Sequence, residues 1–471
     1  MKEELIGNNH KGQSTLEILI ALAIITISVS AVILVAFNNQ SISVESQYHN
    51  QALYLAKENL EETRAQSRKS FNAVVSTSTS DSIYLKEIIV ESLDTYKKKI
   101  ISRVSWQNEL LRPQKIELTT IIADWKNVPS LSDPNDSGGS GVSGDWRNPK
   151  TLGSIDLGPG NSATDLDVVN KIVYLSAEAS SASKPDFFII NATNGQNPFV
   201  VSSLNTGESL NAVDVSGNYA YLANRDDDAQ LQIIDISNLN NPILIASFDL
   251  PGVSGSGAIG QSVFYKDSKV YVGTKKASGP EFHIIDVSNP NSPIALGSFE
   301  INGAVNMIDV KNNIAYIAFA GDNYELKILD ISNPVDIKEL YKYNALGDSE
   351  DGKSVYVVAD KLYLGRILGG NHNNHHEFHI LSISSSTAPQ NLGSKDLAAD
   401  LNDLRIRDNL AFLATGDANK EFQVWDVSDP SNISFWSSFN FPQGATGIDY
   451  ESNLIYVAVK SNDALRIITS Q

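Results

Sequence analysis

The chain has 471 residues, with 36 Lys and Arg against 55 Asp and Glu, a formal charge of −19 and no cysteine. That length exceeds one ordinary domain, a hydrophobic share of 42% excludes wholesale disorder, and the lack of thiols excludes disulfides, Cys-ligated zinc, iron–sulfur clusters and thiol nucleophiles. Residues 1–128 carry 14 basic and 14 acidic side chains and residues 129–471 carry 22 and 41, so the whole charge sits in the second part, which repels phosphate backbones and argues against nucleic acid as a partner.

Leu16 to Phe37 form an apolar run of 22 residues, LEILIALAIITISVSAVILVAF, interrupted by one charge, Glu17. At helical rise it measures about 33 Å, the thickness of a bilayer core of roughly 30 Å, and it is longer than the apolar stretch of a secretory signal. The spacing therefore predicts a transmembrane helix over 16–37. A carboxylate at its apolar edge is unfavourable unless it finds a partner.

Lys11-Gly12-Gln13-Ser14-Thr15-Leu16-Glu17 followed by this run resembles the processing site of type IV prepilins and pseudopilins. The resemblance implies a leader over 1–12, cleavage after Gly12 by a prepilin peptidase, N-methylation of Gln13, and a Glu17 that pairs with the terminal amine of a neighbouring subunit. Two charges that are costly in hydrocarbon would cancel when subunits stack. Gln13 replaces the usual Phe and no cysteine pair is present, which leans towards a minor pilin or a pseudopilin.

Val44, Tyr48, Ala52, Leu55, Ala56 and Leu60 recur at helical spacing, extending the long helix over 13–67. Extended segments at 82–91, 96–106 and 115–125 predict strands, and the resemblance implies that they form a small antiparallel pilin-like head over 68–128. The run Lys97-Lys98-Lys99 reads as a solvated strand edge. Residues 129–148, rich in Gly, Ser, Asp and Pro, have the composition of a flexible linker.

Residues 149–471 repeat. An aromatic marks the second strand of each unit, at Tyr174, Tyr221, Tyr271, Tyr316, Tyr363, Phe412 and Tyr456. A third strand follows, as in Leu231-Gln232-Ile233-Ile234-Asp235 and Phe378-His379-Ile380-Leu381-Ser382. Asp235, Asp286, Asp330 and Asp426 close four of these strands and are expected to cap turns. Short turns such as Lys311-Asn312-Asn313 join first and second strands as hairpins. Four short strands every 40–50 residues predict propeller blades, and the third-strand phrase resembles the LVIVD repeat family. The last unit ends after its third strand, while Lys150–Leu157 aligns with the fourth strand at Ile294–Ile301. The fold class is thus mainly β: an N-terminal transmembrane pilin helix with a small antiparallel sheet, then a seven-bladed β-propeller closed by pairing of its N- and C-terminal strands.

Four of the seven histidines, His372, His375, His376 and His379, gather between Gly369 and His379 and are the candidate metal ligands. His379 falls where an outward-facing strand residue is expected. No phosphate loop, Gly-x-Ser-x-Gly elbow or cofactor motif is present, so neither cofactor nor enzymatic activity is expected. The functional expectation is a minor type IV pilin-like subunit, inserted in the cytoplasmic membrane before assembly, whose propeller is displayed on a pilus or cell surface. Its partners would be other pilin subunits and an extracellular protein or glycan. The alternatives are a secretion pseudopilin gripping cargo and a pilin-anchored propeller enzyme.

Overall fold

In the computed structural model of the protein the described residues are 11–69, 71, 73–92, 97–107, 112–123, 142–255, 257–321, 323–345, 350–367 and 375–471. The chain divides into two compact units, Met1–Val128 and Pro129–Gln471.

The first unit is one long helix, α1 (Lys11–Lys69), and a sheet of β1 (Thr77–Asp81), β2 (Tyr84–Ser92), β3 (Lys97–Gln107) and β4 (Pro113–Ala123) in the order β1-β2-β3-β4. The helical stripe read from sequence is the buried one: Ala52, Leu55 and Ala56 pack on Tyr84, Val104, Trp106 and Ile116, while Leu60 packs with Ile88, Ile100 and Ile122. Strand β1 is fully exposed, so it offered no alternation to read. The lysine run is no solvated edge, because β3 is an inner strand: Lys98 Nζ donates to the carbonyls of Phe71 and Val74, each at 3.0 Å.

The expected transmembrane helix is corrected. Among the described residues no helix is long and apolar enough to cross a membrane. The described side chains of the apolar run are Ile20 and those of 22–35, and they are exposed. Beyond them α1 alternates polar and apolar faces against its sheet. The side chains of Gly12, Gln13 and Glu17 lie outside the described residues, as do residues 1–10 of the expected leader.

The second unit contains seven four-stranded antiparallel sheets among the described residues. Blades 1 to 6 span 161–204, 210–248, 260–299, 304–343, 352–395 and 401–439. Blade 7 takes three strands from 445–469 and its fourth, β5 (Lys150–Ile155), from the other end of the unit. The pairing runs from Lys150 against Thr469 to Ile155 against Leu465, which removes two open edges at once. The first strand of each blade packs beside those of both neighbours, blade 7 returning to blade 1, so these seven strands surround the axis. Each third strand is buried on both faces by adjacent blades, for example Leu231, Ile233 and Ile234 at 0% exposure.

Two local devices set the blades. First-to-second-strand hairpins turn through positive φ, as at Asn312 (51°) and Asn313 (60°), where Asn tolerates the left-handed region. A glycine in the fourth strand lets the next blade's turn approach: a Cβ on Gly297 would lie 1.7 Å from the Pro334 carbonyl oxygen.

Residues 142–148, expected as linker, are part of the propeller. Trp146 is fully buried against Phe412, ring centroids 4.8 Å apart, in the cluster shared by blades 6 and 7. Val142 N–H donates to Asp408 at 2.7 Å, Asp145 N–H to the Gln471 carbonyl at 2.8 Å, and Ser437 Oγ to the Trp146 carbonyl at 2.6 Å. Gly and Ser around the tryptophan gave the segment a linker's composition, but one large aromatic outweighs them.

Candidate binding site at the channel mouth

An innermost strand has no partner on its axial side, so its main-chain groups there need acceptors and donors from elsewhere. The preceding blade supplies them. Asp167 accepts from Val215 N–H at 2.7 Å, Asp214 from Tyr265 N–H at 2.5 Å, Asp309 from Val357 N–H at 2.7 Å and Asp449 from Val168 N–H at 3.0 Å. Two residues earlier on the strand Asp165 accepts from Val213 N–H at 3.2 Å and Asp403 from Ile448 N–H at 3.0 Å. Arg405 bridges Asp403 and Asp449, each at 3.1 Å. Burial, with the nearby Asp403 charge, pushes the Asp165 carboxyl up to about 7; burial likewise raises Asp403, against the pull of Arg405.

Ahead of these acids every first strand carries a bulge, and side chains at or beside it clasp the next blade. Thr164 donates to the Leu210 carbonyl, Asn211 to Gly260, Ser262 to Val305, Asn306 to Gly352, Ser354 to Leu401, Asn402 to Ala445 and Thr446 to Ala163, at 2.6 to 3.1 Å. The seven bonds close a circle around the mouth.

A cavity of about 440 Å³ opens there on blades 2 to 4, lined by Asn211, Arg225, Ile259, Gln261, Lys275, Ala304 and Asn306. Arg225 is fixed by Asn211 at 2.7 Å and Glu178 at 2.9 Å, and the hydrogen-bonded arginine holds the Glu178 carboxyl below its usual range. Lys275 follows its second strand as Arg225 does, and both main-chain N–H groups bond the residue before their first strand; Lys460 holds the same place in blade 7. Lys353 lies at the bulge of blade 5. Burial pulls its ammonium down, opposed by Asp400, Asp403 and Asp351 and assisted by Lys460. The arrangement offers cations and amides to a ligand.

Of the four candidate metal ligands, His375, His376 and His379 each have a hydrogen-bonding partner within the protein. His372 lies outside the described residues. His375 Nδ1 contacts Glu350, whose other oxygen accepts from the fully buried Arg366 at 2.7 Å; Arg366 also bonds Glu325 at 3.1 Å. His376 Nδ1 meets Ser394 Oγ at 2.6 Å, and His379 Nε2 donates to the His376 carbonyl at 2.8 Å. His379 is buried, not outward-facing, because both blade faces are covered; Gln232, His283, Lys327 and Gln423 are buried in the same way. Burial lowers His379 to about 3 and His283 to about 4. Among the described residues the one cluster with metal-ligand spacing is Asp226, Asp227 and Asp228, where Asp226 accepts from Asp228 N–H at 2.9 Å as turn chemistry requires.

Asp235, Asp286, Asp330 and Asp426 are turn caps, each accepting from the N–H two residues on at 2.8 to 2.9 Å. Sequence reading missed the axial acids, although Asp167, Asp214, Asp309 and Asp449 each stand seven residues before the marker aromatic. It missed a second repeated acid before the third strand: Glu281, Glu325, Glu377 and Glu421 are buried and accept from the N–H twenty residues on, at 2.7 to 2.9 Å.

Residues 209–250, 270–300, 302–345 and 400–440 match the LVIVD repeat model. No curated protein matches the chain in sequence. Among solved structures a chain from a crystal structure of the mitotic checkpoint complex is similar at 13% identity and a TM-score of 0.50, covering 71% of this chain and 97% of that one. The WD40 β-propeller domain of Doa1 is similar at 12% identity and a TM-score of 0.50, covering 69% and 97%. At these identities the likeness is one of fold, a β-propeller built with LVIVD repeats.

Proposed function

We propose that this chain is a binding protein rather than an enzyme, and that its propeller recognises an extracellular protein or glycan at the mouth of the axial channel. The carrying observation is the concave cavity at the mouth bordered by Arg225, Gln261 and Lys275. The first unit is its pilin-like carrier at the cell surface. A long helix laid on a small antiparallel sheet supports that reading, as do the exposed apolar side chains from Ile20 to Val35, which would pack against the helices of neighbouring subunits. The Gly12, Gln13 and Glu17 pattern adds leader cleavage, methylation and subunit pairing to it.

The test is capture of glycans and peptides from an array by the full-length protein. Ala304→Trp, which fills the cavity, should abolish capture, while Ile294→Ser on the outer rim should leave it unchanged. Capture undiminished by Ala304→Trp would refute the mouth as the site. Mass spectrometry of the N-terminus after co-expression with a prepilin peptidase tests the carrier: a methylated Gln13 supports it, and an intact Met1 removes it.

A further inference from the structure

The circle of hydrogen bonds at the mouth departs from its own rule in two blades. In five blades the bulge residue itself, Thr164, Asn211, Asn306, Asn402 or Thr446, bonds the next blade. In blades 3 and 5 the following serine, Ser262 or Ser354, makes that bond instead. This releases the bulge side chains Gln261 and Lys353, neither of which is hydrogen-bonded among the described residues. A repeat that relieves two equivalent side chains of their structural duty departs from what packing requires, and such departures mark function.

The released groups have a definite chemistry. Gln261 offers an amide donor and an amide acceptor to the cavity, the pair that recognises a hydroxyl. Beside it stand Arg225 and Lys275, with no acid among the lining residues. Lys353 and Lys460 add two cations at the mouth, where Glu178, Asp351, Asp400 and Asp403 balance them. In a region with 22 basic and 41 acidic residues, a lining with two cations and no acid is a local departure, and such a cleft focuses anions.

We propose that the mouth binds a small carboxylate that also carries hydroxyls, of the hexuronate class, with its carboxylate at Lys275 and its hydroxyls at Gln261. This rests on the mouth being the binding site and names what enters it. Lys353 and Lys460 supply field rather than contact.

Calorimetric titration of the full-length protein at low ionic strength with sodium D-glucuronate and with D-glucose is decisive. Glucuronate should bind at least about tenfold more tightly than glucose, and added salt should weaken it. Lys275→Gln and Lys353→Gln should each weaken it by about threefold or more, the expected size for one screened charge. If Lys353→Gln does not fold, the exposed Lys275 decides. Equal binding of the two sugars, or full affinity in Lys275→Gln, overturns the inference. If glucuronate fails while Ala304→Trp still abolishes array capture, the mouth stands as a site and only the acidic class falls; if Ala304→Trp captures as the wild type does, both fall.

Discussion

Asp167 in blade 1 accepts the main-chain N–H of Val215 in blade 2 at 2.7 Å, across 48 residues of sequence. The bond ties two blades and satisfies a strand edge that no other strand can reach.

Removing it leaves a buried donor unmet. Asp167→Ala should cost about 1–3 kcal/mol of unfolding free energy, and Asp167→Asn, which keeps an acceptor, should cost less. Urea denaturation of the two variants against wild type measures the order, and equal losses would show that the acceptor is not what matters.

His379 is held near 3 by burial, against an ordinary value of 6.5. A depressed group favours the native state above its unfolded value, and that advantage is lost as pH falls from about 6.5 towards 3, by up to about 1.4 kcal/mol per unit. Gln fills the same place at Gln232 and Gln423, buried alike. His379→Gln should therefore fold and flatten the fall in stability between pH 6 and 4. A denaturation series over that window that parallels wild type would exclude His379 as its source.

Asp165 has the opposite sign. With its carboxyl raised to about 7 from 3.8, it favours the native state below pH 4 and loses that contribution as pH rises towards 7. The Asp165→Asn variant should gain on wild type steadily from pH 4 to 7 and no further above. A difference independent of pH would show that Asp165 ionises freely.

Trp146 anchors segment 142–148 within the propeller. Trp146→Ala should destabilise the protein by about 3–5 kcal/mol and expose 142–148 to limited proteolysis. Wild-type resistance in that segment would show that its hydrogen bonds suffice alone.

What was legible in the sequence was whatever repeats with a fixed phase and a known chemistry. The marker aromatics from Tyr174 to Tyr456 and the Asp caps of the third strands fell into blades as read, and the aligned phrase at Lys150 found Thr469. The phase of His379 was misread because alternation presumes one wet face, and a propeller blade has none. The axial acids stand in a fixed phase before the marker aromatics, but their role was not legible because their partners are main-chain N–H groups of the next unit, which leave no trace in composition. Gln261 and Lys353 became visible only once the bonds of their neighbours were known. The length of the apolar run suggested a bilayer, which the described helix does not support.

Strand β5 and its partner strand at Leu465–Thr469 lie about 300 residues apart. At ribosomal rates of roughly 5–20 residues per second, β5 emerges some 15–60 s before its partner exists. Throughout that interval six blades can form while the ring stays open, so the nascent chain carries an unpaired strand that a chaperone or a second copy could claim. Speed of translation, and not only final stability, therefore governs the yield of closed rings.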